Sequence, residues 1–342
     1  MKCLQKFSMA KSRIQSHKGV VYILLTVLLT LAVLCSLSFG STDAGLGDLF
    51  SLLAGQGGRS GDIILYVRLP RTLGALLTGT AMAVSGVIIQ GVLANPLAGP
   101  NLIGVNAGAG LAAILCSALL PSMHTAVPAA AFGGALAASL LVFFLARKTG
   151  ASRITLVLAG VAISGILSAV IDTVATINPD ALVGANAFMV GGLSGVMSKD
   201  LILPGILILA AAAGAWLLSY ELDLLSLGDE VASSLGLPVR RYRFLLLSVA
   251  SMLAGSAVSF AGLIGFVGLI VPHAARFFVG EENKRLIPAA ALLGALMVVV
   301  CDLLARILFA PFELPVGILL SLLGGPFFLW LLIRQRGGRM HD

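Results

Sequence analysis

The tightest constraint in this sequence is its return, again and again, to apolar runs of about 20 residues separated by short polar stretches. A helix rises about 1.5 Å per residue, so a run of that length matches the roughly 30 Å hydrocarbon core of a bilayer. Hydrophobic residues make up 58% of the chain and charged residues 11%, whereas soluble domains carry about 25% charged residues. The 342 residues leave room for roughly ten spans joined by short loops. No polar stretch is long enough to form a soluble domain. The sequence therefore predicts an all-α, polytopic membrane protein with about ten transmembrane helices.

In chain order, spans are expected near 19–39, 72–91, 101–120, 125–146, 154–176, 201–218, 244–262, 264–279, 286–308 and 316–333. Residues 177–199 are glycine-rich and predict a short helix that does not cross. The organisation expected is a basic cytoplasmic N-terminus over 1–18, a single ten-helix transmembrane domain over 19–335 and a cytoplasmic tail over 336–342. The run after the N-terminus is long for a signal sequence and lacks a small-residue cleavage site, so it reads as a retained first span.

Charge tests the count. With the N-terminus inside, the inner segments hold seventeen of the 22 Lys and Arg residues, which satisfies the positive-inside rule. Arg59, Arg68, Arg71, Lys199 and Arg306 fall outside. The net charge of +7 is thus accounted for by inner loops. No basic patch is interleaved with aromatic residues, so nucleic acid is not an expected partner.

Ser219 to Arg243 is a polar island in this apolar chain. Ser226-Leu-Gly-Asp229 has the S-x-x-[DE] form of a helix-starting capping box. Glu230 follows, and Val231 and Leu235 lie four apart, on one face of a short helix. Gly236 can take the left-handed conformation that ends it, and after Leu237 comes Pro238, which blocks continuation. The charge count puts this island inside the cell, where it forms a surface for a soluble partner.

Catalytic and nucleotide motifs are missing. No GxxxxGK[ST] loop occurs, so this chain has no recognisable site for ATP, and no HExxH is present. The chain reads as non-catalytic, with no cofactor and no metal site. Cys3, Cys35, Cys116 and Cys301 are scattered and read as packing residues. His273 reads as structural. Asp172, near the outer end of the fifth span, is either functional or simply solvated. Arg68, Arg71 and Arg306 have two readings as well. Arg306 can pair with Asp302 one turn away, or the three can form a basic docking patch for carboxylates on an external partner.

The ordered series Arg68-Leu-Pro-Arg71, Gly79-Thr-Ala-Met-Ala-Val-Ser-Gly86, Gln90, Asn95-Pro-Leu-Ala98, Gly228-Asp-Glu-Val-Ala232, Leu235-Gly236, Gly262 to His273 with Arg276, and Gly324-Gly-Pro-Phe-Phe328 resembles the permease subunits of type II ABC importers for iron–siderophores, haem and vitamin B12. The resemblance spans about residues 20–335. It implies ten spans, a second permease subunit, a dimer of separate ATPase subunits and an extracytoplasmic substrate-binding protein, in a bacterial or archaeal cytoplasmic membrane. It also implies that residues 226–238 are the coupling helix set in a groove of the ATPase. Arg68, Arg71 and Arg306 would then meet acidic residues of the binding protein. A secondary transporter driven by an ion gradient is the alternative; it would want buried carboxylates at mid-membrane. An intramembrane enzyme would need paired catalytic groups, and none is evident.

Overall fold

The computed structural model describes residues 18–40, 45–53, 55, 58–148 and 153–336. The N-terminal segment 1–17, including Cys3, and the tail 337–342 lie outside these. Among the described residues all regular structure is helical: α1 (Lys18–Ser38), α2 (Leu46–Leu53), α3 (Arg59–Leu93), α4 (Val105–Leu119), α5 (Val127–Lys148), α6 (Arg153–Ile177), α7 (Pro179–Val190), α8 (Ser198–Leu217), α9 (Ser219–Ser226), α10 (Asp229–Ser234), α11 (Val239–Ala261), α12 (Val267–Val279), α13 (Asn283–Ile307) and α14 (Val316–Arg336). Seven are long and apolar enough to cross a membrane, and α4, α12 and α14 supply three shorter apolar stretches. These occupy the ten expected positions. The short helix expected in 177–199 is α7, whose 12 residues reach only about 18 Å. Asn178 starts it by accepting the Ala181 N–H at 3.2 Å, with Pro179 at the first helical position, where its missing N–H costs nothing.

One boundary differs widely from expectation. The second span begins at Arg59, not near 72. Arg59 and Asp62 belong to the polar stretch 40–62 expected as a loop, yet the helix runs through them and on through Pro70. It does so with a π-type turn at Ile64–Arg68, in which the Leu69 N–H bonds to the Ile64 carbonyl. A proline ring clashes with the carbonyl four residues before it. The wider turn just ahead of Pro70 relieves that contact.

α3 is the axis of the bundle. It packs against α13, α11, α12 and α8, and over Leu69–Leu93 it is buried nearly all round. Its neighbours approach to backbone contact because small residues face each other. A Cβ on Gly79 would lie 2.1 Å from the Gly294 carbonyl oxygen, and one on Gly86 would lie 1.9 Å from that of Gly268. α4 and α5 repeat the device at Gly108 and Gly134. Lipid tails are as apolar as leucine, so such close packing is a main source of association between spans. α1 sits at the periphery, and Ile23, Leu24, Val27 and Leu31 face outward.

α13 runs antiparallel to α3, with Gly294 against Gly79 and Asp302 against Arg71. The bundle therefore has two distinct ends. One carries α9, α10, Arg153 and the start of α13. The other carries Ser36, Arg68, Arg71, Asp302, Arg306 and Glu313.

Candidate functional site

The polar island folds as α9, α10 and the first turn of α11. Its helix start differs from expectation. Ser226 closes α9, where its hydroxyl donates to the Asp223 carbonyl at 2.6 Å. Gly228 is the residue before α10, with φ +115°, and no side chain caps that helix. The capping box is not formed, because the two halves of the motif belong to different helices. The other end matches expectation: Gly236 has φ +85°, which ends α10, and Pro238 precedes α11.

α9 is anchored firmly. Leu222 and Leu225 are fully buried. Asp223 Oδ1 accepts from the Asn283 backbone N–H at 3.0 Å and from its side-chain amide at 2.7 Å. This carboxylate caps the start of α13 from another helix. Burial pushes the Asp223 carboxyl above the usual carboxylate range, and the two Asn283 hydrogen bonds oppose that push. Trp216 and Tyr22 donate to the carbonyls of Lys284 and Arg285 at 3.1 and 2.7 Å, so α8 and α1 hold the same end of α13.

α10 is held more lightly. Ala232 is its one fully buried residue. Asp229 Oδ1 takes Arg243 Nη2 of α11 at 2.5 Å and Arg153 Nη2 of α6 at 3.2 Å. Leu227, Val231 and Leu235 project away from the bundle, 60%, 45% and 60% exposed. Leu237 is partly buried against the core, and Glu230 is exposed. A short helix with an outward apolar face beside a charged anchor is a shape suited to a groove on another protein.

At the opposite end the three arginines do not form an open patch. Arg68, Arg71 and Arg306 are 3%, 5% and 2% exposed. Arg71 Nε lies 3.0 Å from Asp302 Oδ1, and its Nη1 lies 2.5 Å from Glu313 Oε2. Arg306 Nε lies 3.1 Å from Asp302 Oδ2, and its Nη2 donates to Ser36 Oγ at 2.6 Å. Arg68 Nη1 donates to the Leu37 carbonyl at 2.9 Å. The local Asp302–Arg306 pair is present, but it belongs to a cluster joining α1, α3, α13 and the loop before α14. Asp302 and Glu313 lie 231 and 242 residues from Arg71, a distance that sequence spacing does not reveal.

A third polar node was not anticipated. Pro272 within α12 has no N–H, so the Gly268 carbonyl loses its helical donor. Gln90 of α3 fills the gap: its amide nitrogen lies 3.3 Å from the Gly268 oxygen and 3.4 Å from that of Leu269, and its oxygen accepts from Arg276. Gln90→Leu is expected to destabilise the chain by about 1–3 kcal/mol by leaving buried polar groups unmet. The unfolding midpoint in detergent measures this, and an unchanged midpoint would refute it. His273 packs edge-on to Phe327, and Asp172 is exposed. Cys35, Cys116 and Cys301 are free thiols. Among the described residues no cluster of three His, Cys, Asp or Glu side chains could hold a metal.

The chain is thus a close-packed bundle of helices of membrane-crossing length, with a short, outward-facing apolar helix at one end. The FecCD transport family matches residues 28–334, and this chain belongs to that family. It is 42% identical over 287 residues to the hemin transport system permease protein of Yersinia pestis, covering 81% of this chain and 85% of that one. It is 36% identical to the Fe(3+)-citrate import system permease protein YfmE of Bacillus subtilis, covering 94% and 97%. A metal-chelate type ABC transporter solved in an inward-facing conformation superposes with a TM-score of 0.82 at 29% identity, over 92% of this chain and 99% of that chain. The chain is accordingly a multi-pass permease of the ABC importer class.

Proposed function

We propose that the chain is the non-catalytic subunit of an importer for an iron–siderophore, haem or corrinoid-type ligand. The relatives' names support that substrate class. ATP is hydrolysed on a separate ATPase dimer, ligand arrives on an extracytoplasmic binding protein, and a second permease copy completes the path. The end carrying α9 and α10 faces the cytoplasm, as the positive-inside rule requires of Arg147, Lys148, Arg153, Arg240, Arg241 and Arg243. Both termini follow to the same side.

The observation that carries this reading is the outward apolar face of Leu227, Val231 and Leu235 on a segment too short and polar to lie in lipid. Residues 226–238 are the coupling region: Val231, Leu235 and Leu237 give apolar contact and shape, Glu230 adds a rim charge, and Gly236 and Pro238 set the exit into α11. Nucleotide moves the permease only if the ATPase binds its two conformations with different affinity, and that difference is expressed at this face. Val231→Glu with Leu235→Glu is expected to abolish co-purification with the co-expressed ATPase and to lower ATP hydrolysis by the complex at least tenfold. Normal co-purification and hydrolysis would refute the assignment.

At the outer end, Arg68, Arg71 and Arg306 support docking of the binding protein by holding α1, α3 and α13 in register. Direct pairing of Arg71 with acids of that partner would require it to exchange Glu313, its more exposed contact. The ion-gradient alternative is disfavoured by Asp302. It is the one fully buried carboxylate among the described residues, and two arginines already neutralise it.

A further inference from the structure

Asp229 joins three helices at one oxygen. Its Oδ1 pairs with Arg243 near the start of α11 and with Arg153, the first residue of α6. α10 has six residues, too few to be stable alone. Ala232 supplies its only fully buried contact. Its link to α11 runs partly through the chain. Its link to α6, which starts 76 residues earlier, runs through Arg153. That arginine is itself fixed, because Nη2 also donates to the Leu225 carbonyl at 2.7 Å. Arg243 is 2% exposed and cannot swing away without leaving the protein interior. A carboxylate shared by two guanidiniums resists displacement in more than one direction, since charge-assisted hydrogen bonds are directional.

The geometry points to Asp229 as the positioning residue that makes α6 and α11 move with α10. This rests on the reading of α10 as the ATPase-docking helix and goes beyond it. The docking face is Val231 and Leu235, and Asp229 is the fastening behind it. Displacement of α10 reaches the start of α6 through Arg153 and the start of α11 through Arg243. Without the carboxylate, α10 would slip against the bundle when the ATPase moves it.

Two measurements test this. In the permease alone in nanodiscs, Asp229→Asn is expected to raise amide hydrogen exchange at least tenfold in residues 229–235, while Asp229→Glu stays within threefold of wild type. Unchanged exchange in Asp229→Asn overturns the fastening whether or not an ATPase binds. In the complex with the co-expressed ATPase, an environment-sensitive fluorophore on Leu158→Cys reports movement of α6 when ATP and vanadate are added. Asp229→Asn is expected to reduce that signal at least fivefold relative to the hydrolysis rate of the same complex, and Asp229→Glu to restore it. A full signal in Asp229→Asn overturns the proposal. Failure of the wild-type chain to bind any ATPase would instead overturn the importer reading, and the exchange measurement would still decide the fastening.

Discussion

Asp302→Ala is expected to destabilise the fold by about 3–5 kcal/mol, the cost of stranding buried partner charges. Asp302 is fully buried and neutralises Arg71 and Arg306, both nearly as buried. Arg71 would keep Glu313. Arg306 would keep only Ser36 and main-chain oxygens among its close contacts. Titration of the purified chain with denaturing detergent measures the loss. The sign of a second comparison separates this mechanism from simple loss of packing. Adding Arg306→Met to Asp302→Ala removes the stranded guanidinium, so the double variant should be more stable than Asp302→Ala alone. If the double variant is weaker still, the cluster contributes through packing and not through charge balance.

The cluster also marks where sequence reasoning stops. Hydropathy and length revealed the ten apolar stretches because lipid demands apolar residues over most of each crossing, whatever the exact helix length. The Asp302–Arg306 pair was visible because helical neighbours lie four residues apart. The partnership of Arg71 with Asp302 and Glu313 was not, because it depends on α13 lying antiparallel against α3. The same holds for Gln90 and Pro272, for Asp223 and Asn283, and for Arg153 and Asp229. In each pair one residue looks unremarkable until the packing of distant helices supplies its partner. The misread capping box at Ser226 has a different cause. Its S-x-x-D spacing was genuine, but Leu222 and Leu225 are buried against the bundle. That burial extends α9 through Ser226 and hands the start of α10 to Gly228.

The chain holds 40 glycines, and the structure ranks them by what a side chain at each would meet. Gly86→Val is expected to prevent correct assembly of α3 with α12. A Cβ there would lie 1.9 Å from the Gly268 oxygen, 2.5 Å from its carbonyl carbon and 2.6 Å from its Cα. All three are main-chain atoms, so no rotamer change can relieve the overlap, and the helices must separate. Overpacking typically costs about 1–3 kcal/mol and occasionally more, and an overlap with main-chain atoms falls at the high end. Separation would also pull Gln90 from the Gly268 carbonyl one turn further along, adding an unmet polar group in the membrane interior. Gly133→Ala is the control. A Cβ at Gly133 meets nothing within 4 Å, and alanine is favoured over glycine in a helix by about 1 kcal/mol. That variant should be neutral or slightly stabilised. Membrane yield and size-exclusion profile of the two variants measure the contrast. Equal behaviour would mean that α3 and α12 tolerate a wider crossing than their backbone contact implies. A loss confined to Gly86→Val would locate the fold's specificity at the meeting of two glycines.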